Sequence, residues 1–327
     1  MRAALLALAT LAATPVSASV GDALSRHILP ALADFSAATA GLDRAAQEDC
    51  RAESLRPAFQ TAFDAWMPLS DLHIGPSETG ALSIAFWPDD RGFTARTLAG
   101  LIATEDPIAG DPAGYGEVSI AARGLFALEM LLYDPAFDGY GPDDYACRLV
   151  QAIAGDLGLQ AAALETAWAE DFAPVLASAG EAGNATYLTE DEAIRALYTQ
   201  LLAGLEFTAD TRLGRPMGSF ERPRPKRAEA WRSGRSLRDV LLAVEAAQGL
   251  ARALAEHGLP QTDAAADHVR AVAGRIADPG FQDVEDPQVR LRVEVLQQAV
   301  RRMRAAIETE IGLALGIAPG FNSQDGD

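Results

Sequence analysis

Apolar residues recur at helical spacing along almost the whole chain. Between residues 51 and 73 they fall at steps of three or four, which places them on one helix face: Leu55, Phe59, Phe63, Trp66 and Leu69. The same spacing predicts helices over residues 143–179, 189–211, 227–257, 261–277 and 287–315. Residues 118–133 are apolar at nearly every position, as in a helix buried on most sides. No segment alternates as a strand does, so we predict an all-α fold of helical bundles.

Two stretches rich in glycine and proline interrupt this pattern. Residues 73–92 form the first, and residues 212–226 form the second, whose prolines are incompatible with a helix interior. We take the second as the boundary between two domains. The predicted organisation is an N-terminal helical bundle over 19–211, a linker over 212–226, a C-terminal helical bundle over 227–318 and a disordered tail over 319–327.

Residues 1–18 have the pattern of a secretory signal peptide. Arg2 gives a positive start, an apolar run follows, and Val16-Ser17-Ala18 offers small residues for cleavage near Ala18. The apolar run is shorter than the ~20 residues that a membrane-spanning helix needs. An amphipathic first helix is the alternative. We predict an exported, soluble protein without a transmembrane segment.

The predicted export also bears on the oxidation state of the two cysteines, Cys50 and Cys147. An oxidising compartment favours a disulfide between them, and closing so long a loop stabilises a fold by ~4–5 kcal/mol in the chain-entropy model. Two separate buried thiols are the alternative. We predict a structural disulfide with no catalytic part.

The formal net charge of −19 limits the partners that the protein can have. A chain this acidic is repelled by phosphate backbones and anionic membranes, so nucleic acid is a poor candidate partner. Nearly half of the 327 residues are hydrophobic, which is enough for a sizeable core.

The sequence contains no zinc-protease helix motif, no nucleophile elbow and no phosphate-binding glycine loop. His73 continues the apolar stripe after Trp66 and Leu69, so we expect its imidazole on the core side. An imidazole beside carboxylates is a possible iron, zinc or copper site, here with Glu78, Asp89 and Asp90. A hydrogen-bonded histidine that closes the helix end is the alternative.

Glu129 is the second candidate metal ligand because it lies within an otherwise apolar helix. An isolated buried carboxylate is costly, so it should coordinate a ligand or pair with a cation from another helix. We predict that Glu129 and His73 face one pocket together with Trp66, Trp87 and Asp89.

A charge reversal marks residues 212–238, where nine basic residues accompany two acidic ones. Arg232 and Arg235 are predicted on one helix face, where their guanidinium groups could bind an anionic ligand. The alternative is an internal role, in which the arginines join the two bundles by pairing with carboxylates of the other half.

Several segments together resemble the imelysin family of periplasmic, iron-associated proteins. They are Trp66–His73 with Gly75-Pro76, Phe86-Trp87-Pro88-Asp89, Gly124–Glu129 with Leu131-Leu132, the helix around Cys147, Leu213-Gly214-Arg215-Pro216 and Ala228–Ser236. The resemblance extends over nearly all of the mature chain. It implies two related helical bundles, a location in the periplasm or cell envelope, and a part in iron uptake or regulation.

One departure concerns the family signature Gly-x-His-x-x-Glu. Gly124 and Glu129 occupy its outer positions, but Phe126 stands where the histidine would be. Phenylalanine neither binds metal nor transfers protons, so the peptidase activity implied by the family name is doubtful for this chain.

The leading hypothesis is therefore a non-enzymatic envelope protein that binds iron, another divalent metal or a small ligand. It could act beside other envelope proteins of iron uptake. The alternatives are an assembly module that contacts another envelope protein through the arginine cluster, and a metallopeptidase.

Overall fold

The computed structural model describes residues 20–255, 257–313 and 315–316. These ranges contain no strand, and ten α-helices of eight or more residues form the fold. They are α1 (Leu29–Glu48), α2 (Ala52–Trp66), α3 (Ser77–Ile84), α4 (Phe93–Thr104), α5 (Gly124–Tyr133), α6 (Tyr145–Thr166), α7 (Glu190–Phe207), α8 (Ser236–Leu254), α9 (Pro260–Ala273) and α10 (Pro287–Ile307). The predicted all-α class is confirmed. The predicted signal peptide, 1–18, and tail, 319–327, lie outside the described residues.

Helices α1, α2, α5 and α6 pack against one another as a first bundle. Its core is aromatic: the Phe35 ring lies 5.2 Å from that of Trp66, and the Phe63 ring lies 5.5 Å from that of Phe126. A disulfide joins Cys50, between α1 and α2, to the first turn of α6, with 5.3 Å between the two Cα atoms. The predicted disulfide is therefore confirmed.

Helices α7, α8, α9 and α10 form a second group. Thr189 begins α7 as predicted, because its side chain accepts a hydrogen bond from the Glu192 N–H at 3.2 Å. The sequence assigned this helix to the N-terminal bundle, yet α7 packs on α8 and α10. Apolar core residues run without a break from one bundle into the other.

In the described residues π-helical turns adjoin four of the long helices, and two of these turns lengthen α6 and α7. The turn Ala167–Phe172 carries α6 on to Ala177, which agrees closely with the helix predicted over 143–179. The turn Thr208–Leu213 carries α7 into the short helix Gly214–Met217. The helical path therefore continues into the predicted linker, 212–226, and ends directly after Pro216, at Met217.

Two helices begin later than the apolar pattern predicted. The helix predicted from residue 118 begins at Gly124, and the helix predicted from 227 begins at Ser236. Positive φ angles break the helical path in both places: 69° at Gly124, 43° at Ala230 and 68° at Gly234. A Cβ on Gly124 would overlap the backbone carbonyl of Ile84, so α5 begins directly against the end of α3.

The first predicted interruption, residues 73–92, contains the whole of α3. After α3, the Asp89 carboxylate accepts hydrogen bonds from the first two N–H groups of α4, those of Phe93 at 2.9 Å and Thr94 at 2.8 Å. This carboxylate thereby caps α4. Within the described residues, no helix combines the length and apolar character that crossing a membrane requires.

Candidate ligand site between the bundles

A cleft of about 310 Å³ opens where three parts of the chain meet. They are the segment between α3 and α4 with the start of α4, one face of α5, and the segment between α7 and α8. The cleft is lined by aromatic, basic and acidic side chains, among them Trp87, Phe126, Trp231, Arg215, Lys226, Arg227, Arg232, Asp89, Asp90 and Glu129. Such a mixture of apolar walls and a few converging polar groups is typical of small-molecule sites.

Glu129 projects from α5 and is 2% exposed. Its Oε1 lies 2.9 Å from the backbone N–H of Ser233 and 2.8 Å from the Ser233 hydroxyl, both of which can donate to it. Burial raises the pKa of Glu129, and the hydrogen bonds from Ser233 oppose that rise. The carboxyl group is therefore fixed in position at the wall of the cleft.

The loop that presents Ser233 is tightly turned. Ala230 and Gly234 both have positive φ, and the Arg235 N–H donates to the Ala230 carbonyl at 3.1 Å. This geometry directs the Ser233 N–H at α5 instead of into a helix. The turn thus places two hydrogen-bond donors against Glu129, which is buried although no basic side chain in the described part of the chain forms an ion pair with it.

Aromatic rings form the wall next to Glu129. The rings of Trp87 and Phe126 are stacked, with 6.3 Å between centroids and an angle of 17° between planes. Phe207 meets Trp87 edge-on at 5.9 Å, and the Arg215 guanidinium lies 5.8 Å from the Trp87 centroid. The stack gives the cleft a flat apolar surface beside its charged groups.

The two aspartates of the cleft are already engaged by the protein. Burial would raise the pKa of Asp89, but the backbone N–H groups of Thr94 and Phe93 outweigh it and the pKa is lowered. Asp90 pairs with Arg215, whose hydrogen bond lowers the pKa of that carboxyl, and Arg227 lies 3.6 Å away. Both carboxylates are therefore ionised and occupied.

A buried ion-pair network lies outside the cleft and joins the bundles. Arg212 donates to Glu229 at 2.7 Å and to Asp71 at 3.0 Å. Arg235 donates to Asp64 of α2 at 2.7 Å and to Asp239 of α8 at 2.9 Å. Both arginines are at most 2% exposed. These contacts match the internal role considered for part of the arginine cluster.

The imelysin family model matches residues 28–307. The chain belongs to the imelysin family. No functionally curated protein matches the sequence. Among solved structures, an imelysin-like protein from Psychrobacter arcticum 273-4 is similar to this imelysin-family chain, with a TM-score of 0.74 and 20% identity, covering 94% of this chain and 100% of that one.

A second similar structure is from Parabacteroides distasonis ATCC 8503 and bears the name of an iron-regulated protein A precursor. Its TM-score is 0.68 at 13% identity, and the match covers 88% of this chain and 93% of that one. At these identities the two structures show the imelysin fold, and the iron-related name describes the Parabacteroides protein.

Four of the predicted site residues of this imelysin-family protein line the cleft: Trp87, Asp89, Glu129 and Arg232. Arg232 also pairs with Asp134 at 2.6 Å. Trp66 instead packs in the first bundle against Phe35, and Arg235 belongs to the buried network. The expectation that Arg232 and Arg235 share a helix face was wrong, since both precede the helix.

His73 lies elsewhere in the imelysin fold. Its side chain is exposed, so the expectation of a core-facing imidazole was wrong, and its backbone N–H donates to Gln200 at 2.8 Å. The helical stripe ends because α2 stops at Trp66 and a tighter 3-10 turn, Met67–Leu69, follows. Among the described residues, no three histidine, cysteine, aspartate or glutamate side chains are grouped so as to hold a metal ion.

Sequence reasoning about this imelysin-family chain missed Ser233, and of the basic side chains that line the cleft it named Arg232 alone as a site residue. Ser233 lay in a segment taken as helix, where a serine carries no distinctive signal. The Ser233-Gly234 pair was the available clue, because glycine commonly follows a tight turn.

Proposed function

We propose that this imelysin-family protein is an exported, non-enzymatic component of iron acquisition that binds a small ligand in the cleft between its bundles. The main support for this proposal is the buried Glu129 carboxyl, which Ser233 fixes at the wall of an aromatic and charged cleft. A buried carboxyl beside an open cavity is a common feature of binding sites. The signal-peptide pattern of residues 1–18 supports export to the envelope.

The link to iron is supported by the family and by the iron-related name of the Parabacteroides protein. A small molecule that forms a complex with iron would account for this link without a metal site in the protein itself. An envelope location would place the cleft where such a molecule arrives from outside the cell.

The residues around Glu129 do not fit a resident metal ion. Transition metals take several nitrogen, oxygen or sulfur ligands, whereas Phe126 and Trp87 offer no lone pair for coordination. Oε1 of Glu129 is already held by Ser233, and His73 is not among the side chains that line the cleft. The metal pair His73–Glu129 stays an untested prediction.

Native mass spectrometry of the protein purified from its own cell envelope tests the proposal. We expect a co-purifying small-molecule mass that is lost in Glu129→Gln and in Ser233→Ala. The matched control is Glu310→Gln, because Glu310 is also buried and accepts two backbone N–H groups, from Gln261 and Thr262 at 2.8 Å each, away from the cleft.

Two outcomes would count against the proposal. One is a bound mass that Glu129→Gln and Glu310→Gln retain equally, and the other is a wild-type protein that carries and takes up no small molecule. Stoichiometric uptake of iron, copper or zinc that His73→Ala abolishes would replace the proposal with the metal site.

A further inference from the structure

The cleft concentrates positive charge in a protein whose net charge is −19. Four of its lining residues are basic: Arg215, Lys226, Arg227 and Arg232. Lys226 and Arg227 are exposed at its mouth, whereas Arg215 and Arg232 lie partly buried beside the aromatic wall. A local reversal of sign within an acidic surface raises the concentration of anions at that point.

Fewer carboxyl groups than cations line the cleft: Asp89, Asp90 and Glu129 stand against the four basic side chains. Asp89 uses one oxygen on the Phe93 N–H and the other on the Thr94 N–H. Asp90 alone serves both Arg215 and Arg227, and its separation from Arg227 is 3.6 Å. Among the lining residues the cations therefore outnumber the carboxyl groups, and Asp89 directs both oxygens at the backbone of α4 and not at a cation.

Lys226 is the least compensated of the basic groups. In the described part of the chain, no carboxylate comes within ion-pair distance of its ammonium group, which lies 5.9 Å from the Trp231 centroid. Arg232 lies over the same ring at 4.6 Å and pairs with Asp134. Both cations therefore lie near the ring of Trp231.

The volume and the wall chemistry restrict the ligand further. A cavity of about 310 Å³ lies at the small end of ligand sites. Guanidinium and ammonium groups bind carboxylate and phosphate oxygens through charge-assisted hydrogen bonds. The Trp87–Phe126 stack can cover an apolar part of the same molecule.

We infer that the ligand of the proposed site is a small molecule with two or more carboxylate or phosphate groups, held by Lys226 and Arg227 at the mouth and by Arg215 and Arg232 within. This inference rests on the proposed function, since it names the chemical class that the same cleft binds. It assigns the selection of ligand charge to the segment between α7 and α8, and not to Glu129.

Isothermal titration with four probes tests the inference. Citrate presents carboxylates, pyrophosphate presents phosphates, and spermidine and glucose are the cationic and neutral comparisons. We expect citrate or pyrophosphate to bind with an affinity that falls as salt is added, and the stronger of the two identifies the anionic group. Ferric citrate in place of citrate shows whether the iron complex is preferred.

Substitutions locate the binding. Lys226→Gln with Arg227→Gln should weaken anion binding about 10-fold or more, as expected for the loss of charged hydrogen bonds, and Lys226→Arg should retain most of it. Arg222→Gln with Arg224→Gln is the matched control, because these exposed arginines belong to the same loop but do not line the cleft. We expect that control to change affinity less than about threefold.

Three results would overturn the inference. They are no binding of citrate, ferric citrate or pyrophosphate at millimolar concentration, equal weakening by the control pair, and binding of spermidine or glucose that Glu129→Gln abolishes. The last result would leave the proposed binding function intact and change only the ligand class. If the wild-type protein binds none of the probes and also carries no co-purified small molecule, the proposed function itself is refuted.

Discussion

Replacement of Arg212 by methionine tests how the two bundles are held together. The Arg212 guanidinium is 2% exposed and donates to Glu229 at 2.7 Å and to Asp71 at 3.0 Å. Methionine fills much of the same volume, so Arg212→Met removes the charge with a small cavity. The Glu229 carboxylate, itself 8% exposed, would then lose its cation.

The expected cost follows from that burial. Breaking a buried ion pair by removing one partner costs about 3–5 kcal/mol, since the remaining charge is neither solvated nor paired. Asp71 contributes less to this cost because its side chain is 21% exposed and water can reach it. Burial already raises the pKa of Glu229. In Arg212→Met, protonation at low pH therefore relieves the charge, and the loss of stability should be smaller at pH 5 than at pH 8.

Urea unfolding followed by circular dichroism measures this effect. The double variant Arg212→Met, Glu229→Gln should recover a large part of the loss, because it leaves no unpaired buried charge. Arg301→Met is the control: its partner Asp210 lies at 2.6 Å, both side chains are about half exposed, and the expected cost is below about 1 kcal/mol. The reasoning is refuted if Arg212→Met costs no more than Arg301→Met, or if the double variant is as unstable as the single one.

Three further predictions concern stability. Replacing Cys50 and Cys147 by serine opens a loop with a sequence separation of 97 residues and should lower the unfolding free energy by about 4–5 kcal/mol, measured against the oxidised protein in urea. Burial lowers the pKa of His27, so the neutral imidazole contributes its full stability above pH 6.5 and loses it as the pH falls through the lowered pKa. His27→Gln should therefore make the melting temperature fall less steeply between pH 7 and pH 4.5. An unchanged slope would contradict this prediction. Gly124→Ala should cost about 2 kcal/mol or more, because φ is 69° and the new Cβ meets the Ile84 carbonyl. Gly100→Ala, inside α4 where a Cβ meets no atom within 4 Å, should instead stabilise the protein by up to about 1 kcal/mol in the same assay.

The sequence was sufficient for the helical class, because apolar periodicity is a local signal, and for the disulfide, because two cysteines allow one pairing. It also found the cap at Thr189 and the buried position of Glu129. Prediction from the sequence failed where the backbone leaves the helical path that the apolar pattern indicates. Residues 227–235 have the composition of a helix, yet Ala230 adopts φ 43° and the chain turns. Arg232 consequently reaches the cleft while Arg235 enters the buried network.

The direction of His73 could not be read from its spacing for a related reason. Counting from Leu69 assumes a regular helix of 3.6 residues per turn, but Met67–Leu69 is a tighter 3-10 turn. A small change in pitch rotates the next side chains away from the expected face. Similarly, nothing local to Ser233 indicates that its N–H donates to a carboxyl 104 residues earlier in the sequence.

The position of Lys226 makes this protein convenient to label. It is the one lysine in the chain, and its amine is exposed at the rim of the cleft. An amine-reactive dye would therefore modify one side chain, apart from the terminal amino group, and would place a fluorophore beside Trp231. A ligand held by Lys226 should slow this modification, so the rate of dye attachment, followed by quenching of the indole, reports occupancy without any engineered cysteine.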